Sequence, residues 1–203
     1  LTKSSSHRHG VTDEHPVVET AEDARVYLFV CAQWIKEVHA ALEGAPSLRH
    51  LELHGFQACC GEPAVSCEEV RRRTAAIPGD APAVWLGGDC LAALGDARSE
   101  VEAVAGELDR HVEIAHMREC VHMLEDPSWV EAQLKRGVHL CTPSWLDHWQ
   151  ALPPECDPRN PGVNGERLAD AKTELVLLDT GRDAHAEIKL DALAERLERP
   201  VAT

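Results

Sequence analysis

Apolar positions along the chain fall into short continuous runs separated by amphipathic stretches. Val26-Tyr27-Leu28-Phe29-Val30 is unbroken and of strand length, the pattern of a strand covered on both faces. Ala32 to Leu42 then changes to helical spacing, with Trp34, Ile35, Val38 and Leu42 on one face. Leu48 to Phe56 alternates and predicts a second strand, Cys67 to Ala76 a short helix, and Pro78-Gly79-Asp80 a turn. Ala83-Val84-Trp85-Leu86 predicts a third strand, ending in Gly87-Gly88-Asp89-Cys90. Ser99 to Leu108 has helical character, and His111 to Met117 predicts a fourth strand leading into Arg118-Glu119-Cys120. Trp129 to Lys135 reads as helix and Gly137 to Cys141 as a short strand, after which Thr142-Pro143-Ser144 opens a helix carrying Trp145, Leu146 and Trp149. Beyond a loop rich in Pro, Asn and Gly, Leu175 to Leu178 predicts a late strand, and Leu190 to Leu197 a charged helix.

Strands alternating with helices predict an α/β fold, a mostly parallel sheet flanked by helices with right-handed crossovers. Ligands of such sheets bind beyond the carboxyl ends of the strands. Residues 1–22 are polar and rich in Ser and His. They predict a disordered lead-in, with His7 and His9 solvated, ahead of one domain over residues 23–203. The segment from Glu195 to Thr203 carries no clear stop signal, as in a piece cut from a longer protein with downstream signalling domains.

Charge narrows the partners. The formal net charge is −15, and the one dense basic run, Arg71-Arg72-Arg73, shares a predicted helix with Glu68 and Glu69. A solvated, internally neutralised helix face is the better reading, and nucleic acid is not an expected partner. No run of 18 apolar residues exists and the first residues lack an apolar leader core, so a cytoplasmic, non-membrane location is expected. No Walker or G-x-G-x-x-G pattern supports nucleotide binding. Trp34, Trp145 and Trp149 stand at helical spacing and read as core.

The eight cysteines carry the candidate chemistry. In a reducing compartment they are thiols or metal ligands rather than disulfides. Cys31, Cys90 and Cys120 each follow a predicted strand, at the edge where an α/β sheet keeps its site. Cys59 and Cys60 follow the Leu48–Phe56 strand, and Cys141 ends another. Buried cysteines also serve as small hydrophobes, which is expected for some of the eight. No C-x-x-C pair exists, so a shared site is built from distant segments, unlike a structural zinc knuckle. Three thiolates at a cleft suit a centre with an open coordination position, a 4Fe-4S cluster first and zinc second. Gly87 and Gly88 would let backbone approach such a group and offer N–H donors to its sulfurs.

These segments resemble a prokaryotic family known as domain of unknown function 1638. Cys31 with Glu37 six residues on, Gly88-Asp89-Cys90, Arg118-Glu119-Cys120 and Gly137-Val138-His139-Leu140-Cys141-Thr142-Pro143-Ser144-Trp145 match its short motifs in order. Two positions depart from it: Glu119 stands where the family has Asp, and Cys141 where an aromatic residue is usual. The resemblance implies a three-cysteine centre of Cys31, Cys90 and Cys120; Gly87, Gly88 and Arg118 are the candidate cofactor-binding residues, with a plain strand-to-helix turn the equal alternative for the glycines. It implies no single reaction. Some members are associated with methyl transfer and corrinoid metabolism, others with sensory kinases.

The expected roles are therefore a redox or ligand sensor, or part of a cluster enzyme acting on a small molecule, with a zinc- or corrinoid-associated methyl-transfer protein behind it. Cys59, Cys60, Cys141 and His139 are auxiliary ligand candidates; Glu37, His116 and His122 are candidate proton carriers. For Glu37 a surface salt bridge is the plain alternative, and for the histidines packing or solvent. A cysteine-nucleophile enzyme is the other chemistry, since Cys31 and Cys90 precede helices whose dipoles favour thiolate. It needs one reactive thiol and a base, not a group of thiols. A homodimer is a further possible assembly.

Overall fold

A computed structural model describes residues 25–58, 65–96, 98–117, 120–151 and 173–202. The lead-in and the Pro-rich loop lie outside the described residues. Four strands, β1 (Val26–Cys31), β2 (Leu51–Phe56), β3 (Ala83–Gly87) and β4 (Val112–His116), form a wholly parallel sheet in the order β2-β1-β3-β4. Around the two sheets run α1 (Ile35–Glu43), α2 (Cys67–Ala76), α3 (Ala92–Asp96), α4 (Arg98–Glu107), α5 (Pro127–Lys135), α6 (Pro143–His148) and α7 (Ala186–Leu197). The expected α/β architecture is what the chain adopts. No helix among the described residues is long and apolar enough to cross a membrane.

The unbroken apolar run of β1 follows from its place. It pairs with β2 on one side and β3 on the other, and every residue from Tyr27 to Cys31 is buried. Phe29 stacks on Trp85 with ring centres 4.6 Å apart, and Phe56 closes on the same indole at 5.1 Å. The Trp85 N–H donates to the buried Thr74 hydroxyl at 3.4 Å. Helix ends follow their cap chemistry. Ser66 accepts from the Glu69 N–H on α2, Asp126 caps α5 and Thr142 caps α6, the last two followed by Pro at the first helical position. Arg110 reaches from the start of β4 to the last carbonyls of α2, Thr74 at 2.9 Å and Ile77 at 3.2 Å, a cation at the negative end of the helix. The basic run of α2 is the neutralised face expected, with Arg72 on Glu69 at 2.7 Å and Arg71 on Glu107 at 3.0 Å.

Three features differ from the sequence reading. Residues 46–48 form a 3-10 turn, and β2 starts only at Leu51, because Pro46 fixes its backbone and has no N–H for a ladder. Cys31 is the last residue of β1 rather than the first beyond it. The late strands do not extend the main sheet. β5 (His139–Cys141) and β6 (Leu175–Leu177) pair in parallel with each other, and β4 is left as an edge exposing Glu113 and His116. Around β5 and β6 lies a second apolar cluster of Cys141, Leu146, Trp149, Leu175, Leu190, Leu193 and Ala194.

An alternating charge network clamps α1 to this second unit. Lys36 on α1 and Lys189 on α7 both contact the Asp147 carboxylate on α6. Lys189 also meets Asp183 at 2.5 Å and Lys36 meets it at 3.5 Å. The Lys189 ammonium, with the His185 N–H, holds the Asp183 carboxyl down at about 2. Burial works against Asp147, yet Lys189 and Lys36 still keep it below the usual carboxylate range. A depressed carboxylate contributes stability that is present above the ordinary carboxylate pKa and is lost as pH falls through the folded value. Asp183→Asn is therefore expected to lower unfolding stability by about 1 kcal/mol at neutral pH in urea titrations, the size typical of a partly solvated network. The gap from wild type should narrow below about pH 4 and close below about pH 2. A gap unchanged at low pH would show that Asp183 acts by packing rather than charge.

Candidate metal centre

The order β2-β1-β3-β4 means that the chain leaves β1 toward one edge, then returns past it to build β3 and β4. The strand ends part at the β1–β3 boundary, the switch point where parallel α/β sheets keep their ligands. Cys31 ends β1. Cys90 lies in the 3-10 turn Asp89–Leu91 after β3, and Cys120 opens the 3-10 turn Cys120–Met123 after β4. Val30 pairs with Leu86 and Gly87 with His116, so β1, β3 and β4 end at one level.

The Cys90 thiol sits near enough to both Cys31 and Cys120 to feel charge on either. Burial first, and then those two neighbours, push Cys90 far above the usual thiol range, against the opposing Gly88 and Cys90 N–H groups. Burial also raises Cys31, although the Gln33 and Ala58 N–H groups face its sulfur and favour thiolate. Cys31 and Cys90 are each only 4% exposed, whereas Cys120 is half-buried. All three are free thiols.

The paired glycines make this arrangement possible. A Cβ on Gly88 would stand 3.0 Å from the Cys120 sulfur and 3.1 Å from its backbone nitrogen. One on Gly87 would stand 3.2 Å from the Cys90 sulfur and 3.0 Å from the Leu91 side chain. Both glycines thus leave space that thiols occupy, and the Gly88 N–H faces the Cys90 sulfur.

Soft thiol donors are the kind that iron–sulfur clusters and zinc take. Among the described residues, no group of three Cys, His, Asp or Glu side chains is placed to hold a metal ion.

The other candidates fall elsewhere. Cys141 is fully buried in the second apolar cluster, where burial alone raises its thiol, and it ends β5 of the second sheet. His139 packs its ring on Trp145 with centres 4.9 Å apart, in that same unit. His116 is exposed at the end of β4. His122 is half-buried in the turn of Cys120, and its Nε2 is buried with no hydrogen-bond partner. Cys59, Cys60 and Arg118 lie outside the described residues.

Glu37 departs most from the sequence reading. It is not a surface salt bridge: the residue is 3% exposed, its Oε1 accepts the Ser144 N–H at 3.1 Å, and its Oε2 is buried without a partner. Lys36 N–H donates to the Ser144 hydroxyl at 2.9 Å, and the Thr142 hydroxyl donates to the Gln33 carbonyl at 3.3 Å. Gln33, Thr142 and Ser144 were not candidates from the sequence. The Thr-Pro-Ser helix start was the one signal that pointed to Thr142 and Ser144, and it identified a cap rather than a partner for Glu37. Residues 33–37 and the start of α6 thus meet at one junction beside Cys31.

Comparison of the chain with family models, curated proteins and solved structures finds no match.

Gly88→Ala is expected to cost about 1–3 kcal/mol of stability, because its Cβ meets backbone as well as sulfur. Gly106→Ala on α4, with open space around it, should be neutral or stabilising by up to about 1 kcal/mol. Urea unfolding of the two variants separates them. Equal effects would mean that the Gly88 contact does not constrain the Cys120 turn.

Proposed function

We propose that Cys31, Cys90 and Cys120 hold an iron–sulfur cluster of the four-iron type, with one iron left open to a small molecule. The domain then works as a redox- or ligand-sensing module, or as the cluster-bearing part of an enzyme, in the reducing cytoplasm. One observation carries this reading: Cys31, Cys90 and Cys120 stand at the carboxyl ends of the neighbouring strands β1, β3 and β4, with Gly87 and Gly88 close against the Cys90 and Cys120 sulfurs.

Chemistry supports it further. The resting thiols of Cys31 and Cys90 are pushed up, opposite to what an activated cysteine nucleophile needs. A bound metal replaces those protons and supplies the positive charge that the buried sulfurs lack. The Gln33, Ala58, Gly88 and Cys90 N–H groups then donate to charged sulfur, a contact that tunes a cluster's potential. Bound there, the cluster would supply a redox-active iron with one exchangeable position. Half-buried Cys120 marks the side from which a ligand reaches it, and the buried Cys31 and Cys90 keep water from the far side.

Anaerobic reconstitution of the full chain with ferrous iron and sulfide tests the reading. The expected product is brown, with about four irons and four sulfides per chain and thiolate-to-iron absorption. Cys31→Ala, Cys90→Ala and Cys120→Ala should each lose most of that iron, while Cys67→Ala and Cys141→Ala keep it. Because uptake displaces thiol protons, loading should strengthen as pH rises from about 6 to 8. A colourless protein with one tightly held zinc would replace the cluster by a zinc site, and a folded protein that takes up neither would remove the shared centre.

A further inference from the structure

Strand β4 ends the main sheet, and its outer edge is open among the described residues. The ladder to β3 shows which backbone groups are left over. The Ala83 N–H donates to the His111 carbonyl at 2.9 Å, and the Met117 N–H to the Gly87 carbonyl at 2.8 Å. Odd-numbered residues of β4 therefore turn their backbone groups toward β3, and Val112, Ile114 and His116 turn theirs outward. The pairing with β3 is unbroken from Val112 to His116, and this stretch contains neither Pro nor Lys. The edge thus lacks the bulge, Pro or Lys that commonly blunts one. A groove of about 540 Å³ runs along it, lined by all of the consecutive residues 110–114 against Val101 and Ala105 of α4. Successive strand residues point to opposite faces, so one groove touches all of them only at the strand's edge.

We propose that this edge pairs with the same edge of a second copy, antiparallel about a twofold axis at Val112, so that two sheets join into one. The inference is independent of what the thiols hold. Charge selects both the register and the partner. His111 and Glu113 share one face of β4, with exposed side chains 3.7 Å apart. An axis at Val112 sets His111 of each copy directly opposite Glu113 of the other, at the non-hydrogen-bonded positions where side chains approach most closely. The outward backbone groups then match. Each Val112 N–H meets the other copy's Val112 carbonyl, and each Ile114 N–H meets the Arg110 carbonyl. The Arg110 N–H is already engaged within its own chain, on the Ala105 carbonyl at 3.0 Å, so only its carbonyl takes part. An axis at Glu113 would oppose two carboxylates, and one at Ile114 would set Glu113 against Ala115. The segment is therefore complementary to itself in the register that spans the groove. Such a contact is isologous and closes at two copies.

Sedimentation velocity of the full chain, from about 1 to 200 µM, tests the pairing. The expected species shifts from one chain to two, with a dissociation constant of about 10–100 µM, as suits a small interface. Glu113→Lys and His111→Glu should each weaken association at least about fivefold, by setting like charges opposite each other. The double swap, His111→Glu with Glu113→Lys, should return it to within about twofold of wild type. Hydrogen exchange of wild type gives a reading that needs no variant: residues 112–116 should exchange at least about twofold more slowly at 200 µM than at 1 µM. A chain that stays single throughout overturns the pairing, as does a dimer indifferent to these charges or not restored by the double swap. Protection of residues 112–116 that is equal at both concentrations also overturns it, and means that another part of the same chain covers the edge.

Discussion

Taking thiols out of water at one end of the sheet is the constraint from which the rest of the arrangement follows. A buried thiol resists becoming a thiolate, and one beside two others resists further, which is the state of Cys90. Such a group is built only where backbone leaves space for sulfur and offers N–H donors to it. Gly87 and Gly88 provide the space, and Gln33, Ala58 and Gly88 provide donors. The parallel order β2-β1-β3-β4 provides the meeting point, since it parts the strand ends between β1 and β3.

The same constraint accounts for the wall beside Cys31. The 3-10 turn after β1 directs Gln33 inward, and α1 begins with Glu37 in its first turn. A buried carboxyl group there needs donors, and the start of α6 provides one in the Ser144 N–H. Thr142 and Ser144 answer with hydroxyls that pair with Gln33 and Lys36 backbone. Outside this polar seam, Lys36, Asp147, Asp183 and Lys189 form a charge network at the surface. The centre and the second unit are thus held by a dry inner layer and a wet outer one.

Much of this frame was legible in the chain, for identifiable reasons. The run from Val26 to Val30 announced a strand because β1 is covered on both faces and needs no polar positions. The helix start at Thr142 was readable because capping is local chemistry. Strand-end placement of Cys31, Cys90 and Cys120 was readable for the same reason, their strands being local patterns. Glu37 was not, because its partner Ser144 lies 107 residues away and a carboxylate on a helix looks alike buried or exposed. Cys141 also ends a strand, and nothing local distinguishes a thiol at the end of the second sheet from one at the end of the first. The separate pairing of β5 with β6 was hidden in the same way, since three-residue strands carry too short a pattern to show their partner.

Mössbauer spectroscopy of the full chain loaded with iron-57 and sulfide bears most directly on the claim that three distant thiols share one cofactor with an open position. The expected spectrum is that of a four-iron cluster in which one iron differs from three thiolate-bound ones and shifts alone when cyanide is added. A mononuclear or two-iron spectrum, or four irons that respond alike, would contradict it.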